Sequence, residues 1–328
     1  MVWLRAVARF FGSTIGWHRL GFILSATIIM VAAVVLYRKL HDINFAKVLT
    51  AMATVEYRDV AKAALFVAAG YFTLTFYDLF ALRTIGRHDV PYRVAALAGF
   101  TSYSIGHNVG ASVFTGGAVR YRIYSAWGLD AIEVAKICFI AGLTFWLGNI
   151  TVLGIGFIWH PEAASAIDQL PYWLNRALGI GALVVLAGYV VWVWRTPRVV
   201  GRENWEVRLP EGPLTLLQIA IGFLDLGFCA LAMYVLVPNT PALGFVTVAV
   251  VFVSATLLGF ASHSPGGLGV FDAAMLIALW QYDKEDLLAG LLIFRLLYYI
   301  TPFALALAVL GLRELRLTLQ RRRNAGSG

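Results

Sequence analysis

Ile137-Cys-Phe-Ile-Ala-Gly-Leu-Thr-Phe-Trp-Leu-Gly-Asn-Ile-Thr-Val-Leu-Gly-Ile-Gly-Phe-Ile-Trp159 contains no Asp, Glu, Lys, Arg or His. A helix needs about 20 apolar residues to cross about 30 Å of hydrocarbon, and this stretch supplies them. Leu20 to Tyr37, Ala177 to Trp194 and Ala242 to Ser262 are equally free of ionisable residues. Three more blocks carry a single charge each: Ala63 to Leu82 holds Asp78, Pro213 to Val237 holds Asp225, and Leu287 to Leu312 holds Arg295. Strands of a membrane barrel would alternate apolar and polar residues over about ten positions, and these blocks do not. The expected fold class is therefore an all-α integral membrane protein.

Composition agrees. Of 328 residues, 60% are hydrophobic and 13% charged, and mean hydropathy is +0.77. Soluble domains carry roughly a quarter charged residues. The net charge of +8 reads as an excess of basic residues in cytoplasmic connections, with no nucleic-acid partner implied. Cys138 and Cys229 both lie in apolar blocks without metal-ligand spacing and read as packing residues.

Basic residues orient the spans. The tail 313–328, with Arg321, Arg322 and Arg323, and the loop with Arg195, Arg198, Arg202 and Arg208 are placed in the cytoplasm. His160 to Trp173, without Lys or Arg, is placed outside. Arg83, Arg87 and Arg93 then share the cytoplasmic side with Arg120 and Arg122, so Val94 to Val113 must enter and leave on one face. Its Gly99, Gly106 and Gly110 fit a re-entrant or broken helical pair, which protein or a watery cavity must satisfy. Arg38, Lys39, Lys47, Arg58 and Lys62 fall outside against the rule, partly offset by Asp42, Glu56 and Asp59.

This gives about eight transmembrane helices with both termini cytoplasmic. Residues 1–19 form an interfacial amphipathic segment, with Trp3, Leu4, Val7, Phe10 and Phe11 on one stripe. Residues 20–312 form the transmembrane domain, in halves 20–194 and 213–312. Each half has a Gly-rich break, Phe114-Thr-Gly-Gly and Ser264-Pro-Gly-Gly, which hints at a two-fold, parallel internal repeat.

An ionisable group at membrane depth is costly and faces a partner or a cavity. Asp78, Asp225 and Arg295 either pair to fix helix packing or line a polar groove. In Gly106-His-Asn-Val-Gly-Ala-Ser-Val-Phe-Thr-Gly-Gly-Ala-Val-Arg-Tyr-Arg122, the glycines Gly116 and Gly117, Thr115 and freed amides suit an anion, and Arg120 offers a fork for a phosphodiester. The alternative is a tight turn with Arg120 and Arg122 at the headgroups. After Pro265 and Gly266, Asp272 either joins the polar groove or caps its own helix. His107 and His263 are lone histidines, structural or ion-coupling, and no spacing points to zinc. Neither a G-x-x-x-x-G-K-[ST] loop nor a G-x-S-x-G elbow is present.

Phe114-Thr-Gly-Gly-Ala-Val-Arg-Tyr-Arg-Ile-Tyr124, Ser264-Pro-Gly-Gly-Leu-Gly-Val-Phe-Asp272 and Phe294-Arg-Leu-Leu-Tyr-Tyr-Ile-Thr-Pro-Phe303 resemble the flippase region of the bacterial lysylphosphatidylglycerol synthase/flippase family, the multiple peptide resistance factors. The resemblance runs from about the first span to the last. It implies translocation of aminoacylated phosphatidylglycerol, such as lysyl-phosphatidylglycerol, from the inner to the outer leaflet of the bacterial cytoplasmic membrane, contributing to resistance to cationic antimicrobial peptides. It also implies that Asp78, Arg120 and Asp225 matter for translocation, and that Asp272 stands where many relatives carry Glu. Full-length relatives continue into a tRNA-dependent synthase domain after more spans, so synthase activity is not expected of this chain.

A lysyl-lipid headgroup has one phosphate and two amines. Arg120 and Arg295 are therefore expected to hold phosphate, and Asp78 and Asp225 the ammonium groups, with Tyr121 and Tyr299 beside them. Expected partners are anionic and aminoacylated phospholipids, a separate lysylphosphatidylglycerol synthase and a second copy of the chain; no cofactor is expected. Two rival readings are a membrane-embedded lipid-modifying transferase using His107, His263 and the aspartates, and a membrane anchor for a separate synthase.

Overall fold

The computed structural model describes residues 43–110, 112–195, 198–202 and 205–325, together with Met30, Val34 and Tyr37. The interfacial segment 1–19 and most of the span expected from Leu20 to Tyr37 lie outside the described residues. The regular secondary structure described is helical apart from one small hairpin of β1 (Val199–Arg202) and β2 (Trp205–Arg208).

In chain order the helices are α1 (Phe45–Thr54), α2 (Tyr57–Thr84), α3 (Tyr92–Val109), α4 (Ser112–Tyr124), α5 (Ala131–Trp159), α6 (Pro161–Asp168), α7 (Tyr172–Arg195), α8 (Gly212–Leu236), α9 (Phe245–Ala261), α10 (Val270–Ala278), α11 (Lys284–Arg295) and α12 (Thr301–Ala325). A π-helical turn at Leu296–Ile300 joins α11 to α12 without a break. Five helices are long and apolar enough to cross a membrane: α2, α5, α7, α8 and the continuous Lys284–Arg316. They contain the expected blocks around Asp78, Ile137 to Trp159, Ala177 to Trp194, Asp225 and Arg295. α7 is mostly exposed, as a lipid-facing helix would be, whereas α2 is the most buried of the five.

The expected broken pair from Val94 to Val113 takes shape as α3 and α4, which pack on each other around a turn at Gly110. The turn is at Gly110, and the glycines of Phe114-Thr-Gly-Gly lie inside α4. Gly110 has φ +83°, which only glycine adopts without strain. Gly116 serves close approach instead: a Cβ there would lie 3.3 Å from the Ser102 carbonyl oxygen of α3. The second break is where the sequence puts it, with Gly266, Gly267 and Gly269 all at positive φ. There α9 turns back into α10. Nine residues of α10 rise about 14 Å, too short to cross hydrocarbon alone. The stretch read as a separate crossing from Leu268 to Tyr282 is thus the returning arm of a second helical hairpin.

Without a hydrophobic drive between helices in lipid, close backbone contact and interhelical hydrogen bonds hold the bundle. α5 and α8 cross at Gly148 and Gly222, where a Cβ on Gly148 would stand 2.6 Å from the Gly222 carbonyl carbon. Beside the crossing, Gln218 donates to the Thr144 hydroxyl (2.8 Å) and the Ile140 carbonyl (3.2 Å). α2 packs along α8, and Tyr77 meets Asp225 while Gly70 meets Phe228 and Cys229, so the two run antiparallel. At the base of the first hairpin, Arg87 bonds Asp89, Glu133 and the Trp127 carbonyl, tying the α2–α3 loop to the start of α5. Asp130 and Glu133 form the capping box that starts α5.

Gly148→Leu is expected to lower thermal stability in detergent by ~1–3 kcal/mol, because the α5–α8 crossing has no room for a side chain. Gly142→Leu, where a Cβ meets nothing within 4 Å, is the matched control and should unfold at the wild-type temperature.

Candidate functional site

The charged residues singled out in the spans are not scattered: the fold gathers them around the two hairpins. Asp78, in the last third of α2, is fully buried, and Arg120 of α4 is 5% exposed. The Arg120 Nε lies 3.1 and 3.0 Å from the two Asp78 carboxylate oxygens, and Nη2 donates to Oδ1 at 2.7 Å. Tyr124 OH donates to Asp78 Oδ2 at 2.8 Å. The Arg120 guanidinium also lies over the Tyr103 ring of α3, 4.8 Å from its centre. α4 is thereby fastened to α2 by a neutralised, hydrogen-bonded pair, the form in which membrane-depth charge is tolerated.

Arg295 makes the corresponding fastening in the second hairpin. Its Nε and Nη2 donate to Asp272 Oδ1 (3.0 Å) and Oδ2 (2.6 Å), and Nη1 donates to the Gly266 carbonyl at 3.1 Å. Asp272 Oδ2 also accepts from the Gly269 amide at 3.1 Å. Asp272 therefore caps α10, as one of the two readings of the sequence expects, and pairs with Arg295 at once. Tyr299 and Phe271 flank the guanidinium, with ring centres at 5.5 and 5.8 Å.

Asp225 is the exception. It is 4% exposed and accepts one hydrogen bond, from Tyr77 OH to Oδ2 at 2.9 Å. Its Oδ1 has no hydrogen-bond partner, and no described cation reaches it. Arg295 is committed to Asp272, so the expected grouping of Arg295 with Asp225 is not what the fold brings together. An ionised carboxylate left so would cost far more than a paired one, so this position calls for a proton or an incoming cationic group.

Between Asp225 and the Asp78–Arg120 pair lies a run of aromatic rings. Tyr77 meets Tyr103 edge-on at 5.8 Å, Tyr103 meets His107 at 5.6 Å, and His107 stacks near Tyr298 at 6.1 Å. The buried Nδ1 of His107 and hydroxyls of Ser102 and Ser104 have no hydrogen-bond partner. His107 thus belongs to the interior polar region. His263 does not: it is exposed, at φ +56°, with Nδ1 3.0 Å from the Ala261 carbonyl. Thr115 donates to the Gly110 carbonyl at 3.0 Å and steadies the first tip. Tyr121 is about half exposed, unlike its buried neighbour Arg120.

The two hairpin tips meet. A Cβ on Gly110 would stand 3.4 Å from Pro265 Cα, and one on Gly266 would stand 3.7 Å from the His107 carbonyl oxygen. Beside them, the Asn108 side chain donates to the Tyr299 carbonyl (3.0 Å) and Tyr71 OH to the Tyr298 carbonyl (2.9 Å), both in the π-helical turn. Tyr71, Tyr77, Tyr103, Asn108 and Tyr124 were not singled out by sequence. Nothing in an apolar block distinguishes a tyrosine that packs from one that bonds a buried carboxylate. Asn108, inside Gly-His-Asn-Val-Gly, carried the one available signal, a polar amide beside a helix break.

Removing one partner of a buried pair leaves the other charge stranded. Asp78→Asn is expected to destabilise the protein by about 3–5 kcal/mol. The double variant Asp78→Asn with Arg120→Gln should recover much of that loss, as read by thermal unfolding in detergent.

Comparison with known proteins finds relatives over most of the chain. An uncharacterized protein of Synechocystis is 30% identical over 291 residues, 88% of this chain and 90% of that protein. Inner membrane protein YbhN of Escherichia coli is 30% identical over 264 residues, 76% of this chain and 80% of that protein. The phosphatidylglycerol lysyltransferase of Staphylococcus haemolyticus is 26% identical over 290 residues, which make up 88% of this chain but 33% of that enzyme. The chain thus spans about a third of the lysyltransferases it matches, their N-terminal third. No protein-family model matches it.

Proposed function

Because the chain belongs to the family of bacterial membrane proteins that includes inner membrane protein YbhN, and is similar to the N-terminal third of phosphatidylglycerol lysyltransferases, we propose that it moves a phospholipid headgroup across the bacterial inner membrane. Aminoacylated phosphatidylglycerol, such as the lysyl form, is the proposed cargo, carried from the inner to the outer leaflet. The lysyltransferases among its relatives act on phosphatidylglycerol and lysine, and the geometry supplies a reason for such a headgroup to be accepted.

The observation that carries the reading is Asp225. It is a buried carboxyl with one oxygen unpartnered, next to aromatic rings and partnerless polar atoms inside a helical bundle. An ammonium group of an aminoacyl headgroup, or a proton exchanged for it, satisfies that oxygen. A phosphate needs a cation, and Arg120 and Arg295 become available to it only by exchanging Asp78 or Asp272 for the incoming anion. An ammonium–phosphate headgroup presents both signs, so it can replace each half of an existing pair without leaving a bare charge. This is the physical advantage of opposed pairs over a groove of one sign.

Asp225→Asn keeps the shape and a hydrogen-bond acceptor for Tyr77 but removes the negative charge. The variant should fold as wild type, and, reconstituted into liposomes with a labelled aminoacyl-phosphatidylglycerol, should move the lipid at least about tenfold more slowly, the loss of one charge-assisted contact. Equal transfer rates for the two proteins would remove Asp225 from the mechanism. Mass spectrometry of the same lipids tests the alternative of chemical conversion, since translocation leaves every lipid mass unchanged.

A further inference from the structure

The elements from α2 to α5 and from α8 to α12 have the same order: a long helix, a helical hairpin broken at glycine, and a second long helix. Their packing matches as well. α2 lies on α3 and α8 on α9; α3 folds on α4 and α9 on α10; α2 touches α5 and α8 touches α11. Contacts between the units are also reciprocal. α5 packs on α9, the first arm of the other unit's hairpin, and α12 packs on α3. α5 packs on α8, and the π-helical turn packs on α2. The opening helices α2 and α8 pair with each other, antiparallel. Each returning arm is pinned to a long helix of its own unit by one Arg–Asp pair, Arg120 with Asp78 and Arg295 with Asp272.

Antiparallel α2 and α8 exclude a parallel repeat. Within the described residues α2 and α5 are the crossings of the first unit and α7 is a third before α8 begins, so the second unit starts from the side opposite to the first. The two hairpin bases then lie on opposite faces. Arg87 holds the first base to the start of α5, and Arg122 of α4 reaches Glu314 of α12 at 2.8 Å on that side. The second base lies at the other end of the bundle, where α1 packs on α11 and α6 packs on α9 and α10.

We infer that the protein is an inverted repeat whose two re-entrant hairpins enter from opposite leaflets and meet at Gly110 and Pro265–Gly266, forming the barrier between the two sides. Inverted repeats place broken helices at a shared site and allow one unit to rock against the other. Here both tips hang on one element, the π-helical turn: Asn108 binds its Tyr299 carbonyl, and Arg295, one residue before it, binds the Gly266 carbonyl. Freed carbonyls of this kind are what a π-bulge offers within a helix. Parting the tips opens a path past His107 and Tyr298 towards Asp225. The gating role rests on the lipid-moving function proposed above; the inverted arrangement does not.

Two measurements test it in the full-length protein in membranes. The first uses a polymer-tagged maleimide too bulky to enter a groove, on His88→Cys, Asn239→Cys and Leu268→Cys, with wild type as the background for Cys138 and Cys229. The expected pattern is His88→Cys labelled from one face, Asn239→Cys from the other, and Leu268→Cys, at the second tip, from neither. Labelling of Leu268→Cys from the face that exposes His88→Cys, or of both bases from one face, overturns the inverted arrangement. The second joins the tips with Gly110→Cys and Pro265→Cys. Oxidation should slow lipid transfer at least about tenfold, with recovery on reduction, as expected when an obligatory opening is blocked. Unchanged transfer overturns the gate. The labelling needs no change at Gly110, so it decides even if that variant folds poorly. If wild-type protein moves no lipid, the transport reading fails while the labelling still upholds or overturns the repeat.

Discussion

A helix that stops inside a bilayer leaves peptide groups that water cannot reach, and hydrocarbon offers them nothing in return. Among the described residues two helices stop between the long apolar ones, at Gly110 and at Pro265–Gly269. Each stop is made tolerable by a neighbour that donates to the exposed carbonyls. Arg295 takes that of Gly266, Thr115 that of Gly110, and the Asp272 carboxylate receives the Gly269 amide. The π-helical turn has the same problem on a smaller scale, and Tyr71 and Asn108 answer it. The polar side chains of the interior are largely accounted for by this one requirement, and their placement brings the two hairpins into contact.

The same requirement explains why the interior carries charge. A guanidinium can donate to a carboxylate and a peptide carbonyl together, which a neutral side chain does less well. Arg295 does so. Its charge must then be balanced, and Asp272 balances it while capping α10. Arg120 and Asp78 form a pair of the same kind across α4 and α2, backed by Tyr124 and Tyr103. Structural and functional readings of such residues are therefore not opposed. A pair that fastens a hairpin also holds the charges a dipolar headgroup would exchange with, and Asp225, bonded to Tyr77 but to no described cation, stands out by contrast.

The spans were plain in the sequence because crossing hydrocarbon demands about 20 apolar residues whatever the neighbours are, and α2, α5, α7 and α8 contain the blocks that composition marks. The breaks were legible for a similar reason: glycine widens and proline narrows what its own backbone can do, independent of context. Of the glycines that mark the first break in the sequence, Gly110 makes the turn and those of Phe114-Thr-Gly-Gly lie inside α4, because glycines in a helix and glycines in a turn look alike in one dimension. Gly116 is there for the nearness of the Ser102 carbonyl, and nearness is a tertiary fact.

What the sequence determined by itself is an all-helical membrane protein, the position of the long helices α2, α5, α7 and α8, and the presence of Asp78, Asp225 and Arg295 within long apolar blocks, each following from a cost incurred by a residue in lipid regardless of its partners. What only the tertiary structure decided is who meets whom: Asp78 with Arg120, Arg295 with Asp272, and Asp225 with a tyrosine hydroxyl and no cation. It also decided that α9 and α10 form a hairpin whose tip reaches the first. Those pairings depend on helices set side by side from distant parts of the chain. A one-dimensional pattern fixes the cost of a charge in hydrocarbon but not the neighbour that relieves it.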